Sequence, residues 1–268
     1  MVGHAKGGNK LAIALAPTGN RTARAANTGG FFNTLKARIA TSALLVTKPT
    51  SNLLLLSRVH TINTRGNNDQ AASSWITTLF LVNTHTEEVL WAGTQSKRTL
   101  IFRKKGTCSF TTRTIPADEK LELSSDMNGP DALAAMRKLA QQALTSPWIR
   151  KATKQPILRV YPFRNRGSQV LPTAALTAFF QVELLRSGKV RLLARPWRER
   201  AQPMGTVKPV VATGTLSGHI ESFPKRPPQQ QGIQYHFSAK GTNAGEPDAT
   251  WTGKVVLKKK HALTTTNN

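Results

Sequence analysis

The sequence predicts an α+β fold: two tandem small domains, each a mainly antiparallel sheet with helix packed on one face. Three observations predict it. The second half repeats the first: Pro17, Asn20 and Arg21 match Pro162, Asn165 and Arg166 at an offset of about 145, without a gap, through Ser42 and Ser187. Leu56-Ser57, Trp75, Asn83, Trp91 and Gly93 then match Leu216-Ser217, Tyr235, Asn243, Trp251 and Gly253 at an offset of about 160. The repeat unit of roughly 100 residues is the size of a small domain and too long for a solenoid. Within each copy the apolar periodicity runs strand, helix, then strands. The expected boundaries are 10–105 for the first copy, 106–155 for a linker with one helix, and 156–261 for the second copy.

Each copy opens on a short apolar run closed by turn formers, Leu11–Ala16 before Pro17 and Ile157–Val160 before Pro162, the pattern of a buried strand. Leu11–Ala16 is too short for a signal-peptide core and aligns with an internal strand of the second copy. A helix follows. Leu176, Phe179, Phe180, Leu184 and Leu185 recur at three- and four-residue steps, with Thr173 expected as N-cap and Gly188 as a left-handed C-cap. Phe31, Phe32, Leu35 and Ile39 copy it in the first half. Next come short strands, Leu44–Val46 and Val190–Leu193, then longer ones, Leu53–Ile62 and Val210–Ile220. In the strand after these, Trp75, Thr77, Leu79 and Leu81 alternate with Ile76, Thr78, Phe80 and Val82; Tyr235 and Phe237 mark its counterpart. A tight turn (Asn83–Glu87; Asn243–Glu246) leads to a last strand and closes a hairpin.

Between the copies, Gly106–Asn128 is rich in Thr and Ser and reads as a linker. Gly129-Pro130-Asp131 opens a helix whose stripe is Leu133, Met136, Leu139, Ala140 and Ala143, and Pro147 stops it. This helix reads as a packing brace or, failing that, a partner-binding helix.

Charge is the outlier of the composition. Thirty-eight Lys and Arg against thirteen Asp and Glu leave +25. Residues 1–105 hold 14 basic and 3 acidic residues (+11), and 156–268 hold 17 and 5 (+12). Because both copies are basic, the folded surfaces themselves are cationic and steer toward polyanions such as nucleic acid, anionic lipid or an acidic cell-wall polymer. The plainer alternative is an acid-poor composition without a dedicated polyanion site. The single cysteine, Cys108, excludes an internal disulfide and a cysteine-based zinc site. No apolar run approaches the length that spans a bilayer.

Leu176-Thr177 followed by Leu184–Arg191, the hairpin Leu81–Trp91, and Pro162-Phe163-Arg164-Asn165-Arg166 together resemble the LpoB-type activators of penicillin-binding proteins. The likeness covers most of both copies, in the same order. It implies a small α+β domain on an outer-membrane lipoprotein that binds and stimulates a bifunctional cell-wall synthase without chemistry of its own. The sequence departs from that pattern in three ways. No lipidation cysteine follows an N-terminal signal, the mid-domain helices are shortened in the second copy and nearly absent in the first, and members normally carry one such domain.

Catalytic motifs are missing. The six histidines have no metal-ligand spacing, the acids form no pair repeated between the copies, and neither a phosphate loop, a dinucleotide fingerprint nor a GxSxG elbow occurs. No catalytic, cofactor or metal residue is therefore expected. Two basic constellations are candidates for polyanion binding. Arg191, Arg195, Arg198 and Arg200 surround Trp197, guanidinium groups beside an aromatic plane as in phosphate and base recognition. Lys258, Lys259 and Lys260 end the last strand and are matched by Arg103, Lys104 and Lys105. Basic residues at strand ends also serve as edge protection.

The expected function is a non-enzymatic envelope adaptor that activates peptidoglycan synthases. The alternative is a basic nucleic-acid-binding protein on the same scaffold. A protein partner, a cell-wall synthase on the first reading, is expected, with no transmembrane segment. The place is periplasmic or outer-membrane-associated if an upstream signal was removed, and cytoplasmic otherwise.

Overall fold

The computed structural model describes residues 11–15, 19–20, 45–47, 51–65, 70–103, 110–115, 127–194, 210–225, 232–244 and 250–260. The first half contributes β1 (Leu11–Leu15), β2 (Gly19–Asn20), β3 (Leu45–Thr47), β4 (Leu53–Arg65), β5 (Gln70–Asn83), β6 (Glu88–Arg103) and β7 (Phe110–Ile115). The second contributes α1 (Gly129–Leu144), α2 (Pro147–Arg150), β8 (Ile157–Val160), β9 (Arg164–Asn165), α3 (Thr173–Arg186), β10 (Arg191–Leu193), β11 (Gly214–Lys225), β12 (Gly232–Asn243) and β13 (Trp251–Lys260). The helix expected around Phe31–Ile39 lies outside the described residues.

All strands among the described residues join one 13-stranded sheet in the order β13-β12-β11-β8-β10-β6-β5-β4-β1-β3, with β2 on β4, β7 on β6 and β9 on β11. The fold is thus mixed α and β, with antiparallel pairs between the long strands. The pairings of β1–β6 recur in β8–β13. Leu11 pairs Leu45 in parallel as Ile157 pairs Arg191, Asn20 pairs Val59 as Asn165 pairs Ile220, and Leu79 opposes Gly93 as Ala239 opposes Gly253. One detail of the sequence alignment shifts. Leu56 lies opposite Phe80, whereas Leu216 lies opposite Gly241 and Ser217 opposite Lys240. Ser217 is therefore the positional match of Leu56, and a one-residue slip turns a side chain to the other face.

The two halves meet where β10 joins β6, Leu192 beside Val89 and Leu193 beside Glu88. At this junction the Arg191 guanidinium grips the Glu88 carboxylate through two hydrogen bonds of 2.6 Å, and the Ala194 N–H donates to the Glu87 carbonyl at 2.7 Å. Across it the sheet wraps α1 and α3. Their buried side chains, among them Met136, Leu139, Phe179 and Phe180, form one core with Leu158, Leu216, Tyr235 and Phe237 of the second half and with Ile76, Phe80, Val82 and Val89 of the first. This two-sided enclosure accounts for α3, whose residues Ala175–Phe180 are all buried, where the sequence pattern indicated one apolar face. On the far side of the first half's sheet, Ile13 and Leu55 start a separate cluster with Leu15, Leu53, Leu79 and Leu81.

α1 begins at a capping box: Asn128 accepts from the Asp131 N–H at 2.9 Å, and Asp131 accepts from the Asn128 N–H at 3.2 Å. Its alanines, Ala132, Ala135, Ala140 and Ala143, are buried and let it lie close to its neighbours. Pro147 does more than stop α1, because it opens α2 with Ser146 as N-cap. Three further expectations are revised. Part of Gly106–Asn128 is no linker: Phe110–Ile115, rich in strand-forming Thr and Phe, pairs with the far end of β6. Thr173 is already helical. Pro172 occupies the cap position without a side-chain bond, and the Thr173 N–H goes to the Leu171 carbonyl at 2.8 Å. The strand expected at Val210–Ile220 runs instead from Gly214 to Lys225. Gly188 does stand at positive φ (64°) after α3.

Candidate functional site

Alternation along β11–β13 divides the second half's sheet into two faces. Leu216, Ile220, Tyr235, Phe237 and Val255 turn toward the helices and are buried. The opposite side carries Ser217, His219, Ser238, Lys240, Thr252 and Lys254. These six form the floor of a groove of about 1030 Å³. Its rim is the chain from the end of β8 through β9 and the residue after it, with Tyr161, Arg164 and Arg166.

The rim is held from below. Phe163 is buried against the helix side, donates its N–H to Thr177 Oγ1 at 2.9 Å and meets Phe180 edge-on at 5.4 Å. The ring lies over Gly218, where a Cβ would collide with it and approach the Ser238 carbonyl oxygen at 2.6 Å, so this approach requires glycine. With Phe163 turned inward, Tyr161, Arg164 and Arg166 are left exposed. Asn165 then fixes the exit of the loop: its Oδ1 accepts from Gly167 N–H at 3.0 Å and its Nδ2 donates to the Gln169 carbonyl at 2.6 Å.

The electrostatics have one sign. Arg164, Arg166, Lys240 and Lys254 converge on the groove, and no carboxylate lines it among the described residues. Burial pushes the His219 imidazole below its ordinary value. The Arg166 charge acts in the same direction, while Glu221, 3.8 Å from Nε2, opposes both. Beyond the groove the face continues through exposed Lys258 and Val256, and through Phe223, whose ring packs on His236 at 4.7 Å. The face thus combines cationic and hydroxyl side chains with the exposed aromatic rings of Tyr161 and Phe223.

The residues singled out in the sequence have different surroundings. Arg191 is bound to Glu88; those hydrogen bonds push its pKa up, against a smaller downward pull of burial. Lys259 turns to the helix side and pairs with Asp131 at 2.9 Å, its side chain 13% exposed. Lys258 faces outward from the groove side of the sheet. Arg103 and Lys260 end β6 and β13. Arg195, Trp197, Arg198, Arg200, Lys104 and Lys105 lie outside the described residues. The groove cations were missed because they are dispersed over four segments. Lys240 and Lys254 are signalled as the polar members of period-two pairs in β12 and β13, whereas Arg164 and Arg166 lie in and just after the short β9. Among the described residues there is no group of three or more His, Cys, Asp or Glu placed to hold a metal, and no helix long and apolar enough to cross a membrane.

Residues 131–255 match the family model described as peptidoglycan-synthase activator LpoB, and that stretch contains the entire groove. Residues 131–255 of this chain thus resemble an LpoB-type domain. Solved structures similar to the chain include the LpoB C-terminal domains of Salmonella enterica and Escherichia coli. Each is 16% identical, covers 47% of this chain and 98% of its own, and has a TM-score of 0.35. The NMR structure of Escherichia coli LpoB is also 16% identical, covering 59% of this chain and 80% of its own at a TM-score of 0.34. No curated protein matches.

Proposed function

We propose that this protein is a non-enzymatic activator of a peptidoglycan synthase, working in the cell envelope on the periplasmic side. The observation that carries the reading is the coincidence of the LpoB family match with the half that holds the open cationic groove. The partner is a bifunctional penicillin-binding protein that presents an acidic surface to Arg164, Arg166, Lys240 and Lys254, with Tyr161 and Phe223 supplying apolar contact at the rim. Activation on this reading is allosteric: the protein binds the synthase and favours its active state, contributing no reacting group.

The architecture proposed with it is a duplication. The recurring strand pairings support two copies of one domain, the first close to 10–105. The second begins before 156, because the family match starts at 131 and α1 packs in its core.

The test is binding and turnover with the purified bifunctional synthase of the source organism. The protein is expected to bind it and to raise its rate of glycan polymerisation and cross-linking. Lys240→Glu with Lys254→Glu should abolish both effects while the melting temperature stays within a few degrees, since exposed charges contribute little to stability. An unchanged synthase rate, beside steeply salt-dependent binding to a short DNA duplex, would instead make it a nucleic-acid-binding protein.

A further inference from the structure

A duplicated binding domain is normally bivalent. Here the copies use the corresponding face in opposite ways. On the second half's free face stand His236, Ser238, Lys240 and Thr242; the matching positions of β5 are Ile76, Thr78, Phe80 and Val82. All four of those are buried, and Ile76, Phe80 and Val82 belong to the core shared with α1 and α3. Across the neighbouring strands, Thr252 is matched by buried Ala92, and Ser217 by Leu56, which packs on the same core. The N-terminus of α1 lies over this face, with Gly129 against Ser74 and Ile76. The chemistry has changed along with the environment at three of these positions, where Ser217, Lys240 and Thr252 have Leu56, Phe80 and Ala92 as counterparts, while His219, Ser238 and Lys254 keep polar ones in Arg58, Thr78 and Thr94.

We infer that the protein presents one docking face, not two: the first copy has given its own face to the helix pair of the second, so one chain takes one acidic partner. The inference rests on the proposed role of the groove and on the duplication, and it adds stoichiometry to that reading. The first copy acts as a backing plate that holds α1 and α3 from behind and leaves the groove as the single site. Bridging two synthases is excluded within one chain.

Two experiments test it, and the first needs no partner. In a Cys108→Ser background, Ser238→Cys and Thr78→Cys place a thiol at matching positions of the two faces. Both changes are close to isosteric. Ser238→Cys is expected to react with a maleimide within an order of magnitude of a free thiol. Thr78→Cys should react at least about a hundredfold more slowly, because its labelling requires the core to open. Equal rates in folded protein would show that the first half's face is free and would overturn the inference. The second experiment is sedimentation velocity with excess bifunctional synthase. One synthase per chain is expected, with none left after Lys240→Glu and Lys254→Glu; two per chain, or one surviving those changes, would overturn it. Absence of any synthase binding by the unaltered chain would sink the activator reading instead, while the labelling result would still decide whether one face or two is open.

Discussion

Glu88 and Arg191 show how little a charge run reveals about a charge's use. Arg191 belongs to the basic segment that looked suited to phosphate, and Glu88 directly follows the tight turn Asn83–Glu87. Their two 2.6 Å hydrogen bonds instead clasp the seam between β6 and β10. The Arg191 side chain is 38% exposed and that of Glu88 only 16%, so solvent screens the pair in part. Arg191→Ala should lower stability by about 1–2 kcal/mol, chiefly through the carboxylate left partly buried, read as a shifted urea midpoint. Glu88→Ala in the Arg191→Ala protein should then cost little more, since the partner is already gone. His219 offers a second residue-scale prediction. Its folded-state value lies below that of the unfolded chain, so the folded state takes up its proton later as pH falls. The stability involved is intact above about pH 6.5 and is lost as pH drops below it. An NMR titration should place its midpoint below about 6.5, and Arg166→Ala should move it upward; a midpoint at or above that value would refute the assignment. Neither partnership was legible from spacing, because Glu88 and Arg191, like Arg166 and His219, are brought together by strands far apart in the chain.

At the level of elements, the period-two strands and the capping signals were legible because their causes are local. β5 alternates as its residues require, β8 spans the expected four residues, and Gly188 ends α3 at positive φ. Tertiary context was not legible to the same degree. β5 is apolar on both sides, the signature of a strand covered on both, and only the fold shows that the helices of the other half do the covering. α3 carries the same lesson. Phe179 is fully buried in the shared core, so Phe179→Ala should cost about 3–5 kcal/mol, whereas Lys258→Ala on the outer face should stay within about 0.5 kcal/mol. Comparable effects of the two in thermal melts would mean that α3 is not enclosed as described. The groove was legible only in hindsight. Its cations come one at a time from β9, β12, β13 and the loop after β9, and of these Lys240 and Lys254 are merely the polar members of alternating pairs.

For the whole molecule, one core drawing on both halves implies one unfolding unit. A variant keeping only Trp91 and another keeping only Trp251 report on different halves, and their fluorescence should show coincident urea midpoints. Two separated transitions would mean that the halves are stable independently. The recurrence of residues between the halves was legible in the sequence, but the way the two halves share one core was not. Matching Leu56 to Leu216 by identity hides the shift of one position that lets a leucine face the helices from either half.

The enclosure of α3 also bears on how such a chain can change over time. With Ile76, Phe80 and Val82 in the core shared with α1 and α3, losing the first half would uncover both helices. Losing the second copy would equally strand an apolar sheet face in water, a site for aggregation. Neither half remains free to be deleted or traded to another gene. On the proposed duplication, a redundant copy has become a dependency, and selection on one half reaches residues of the other.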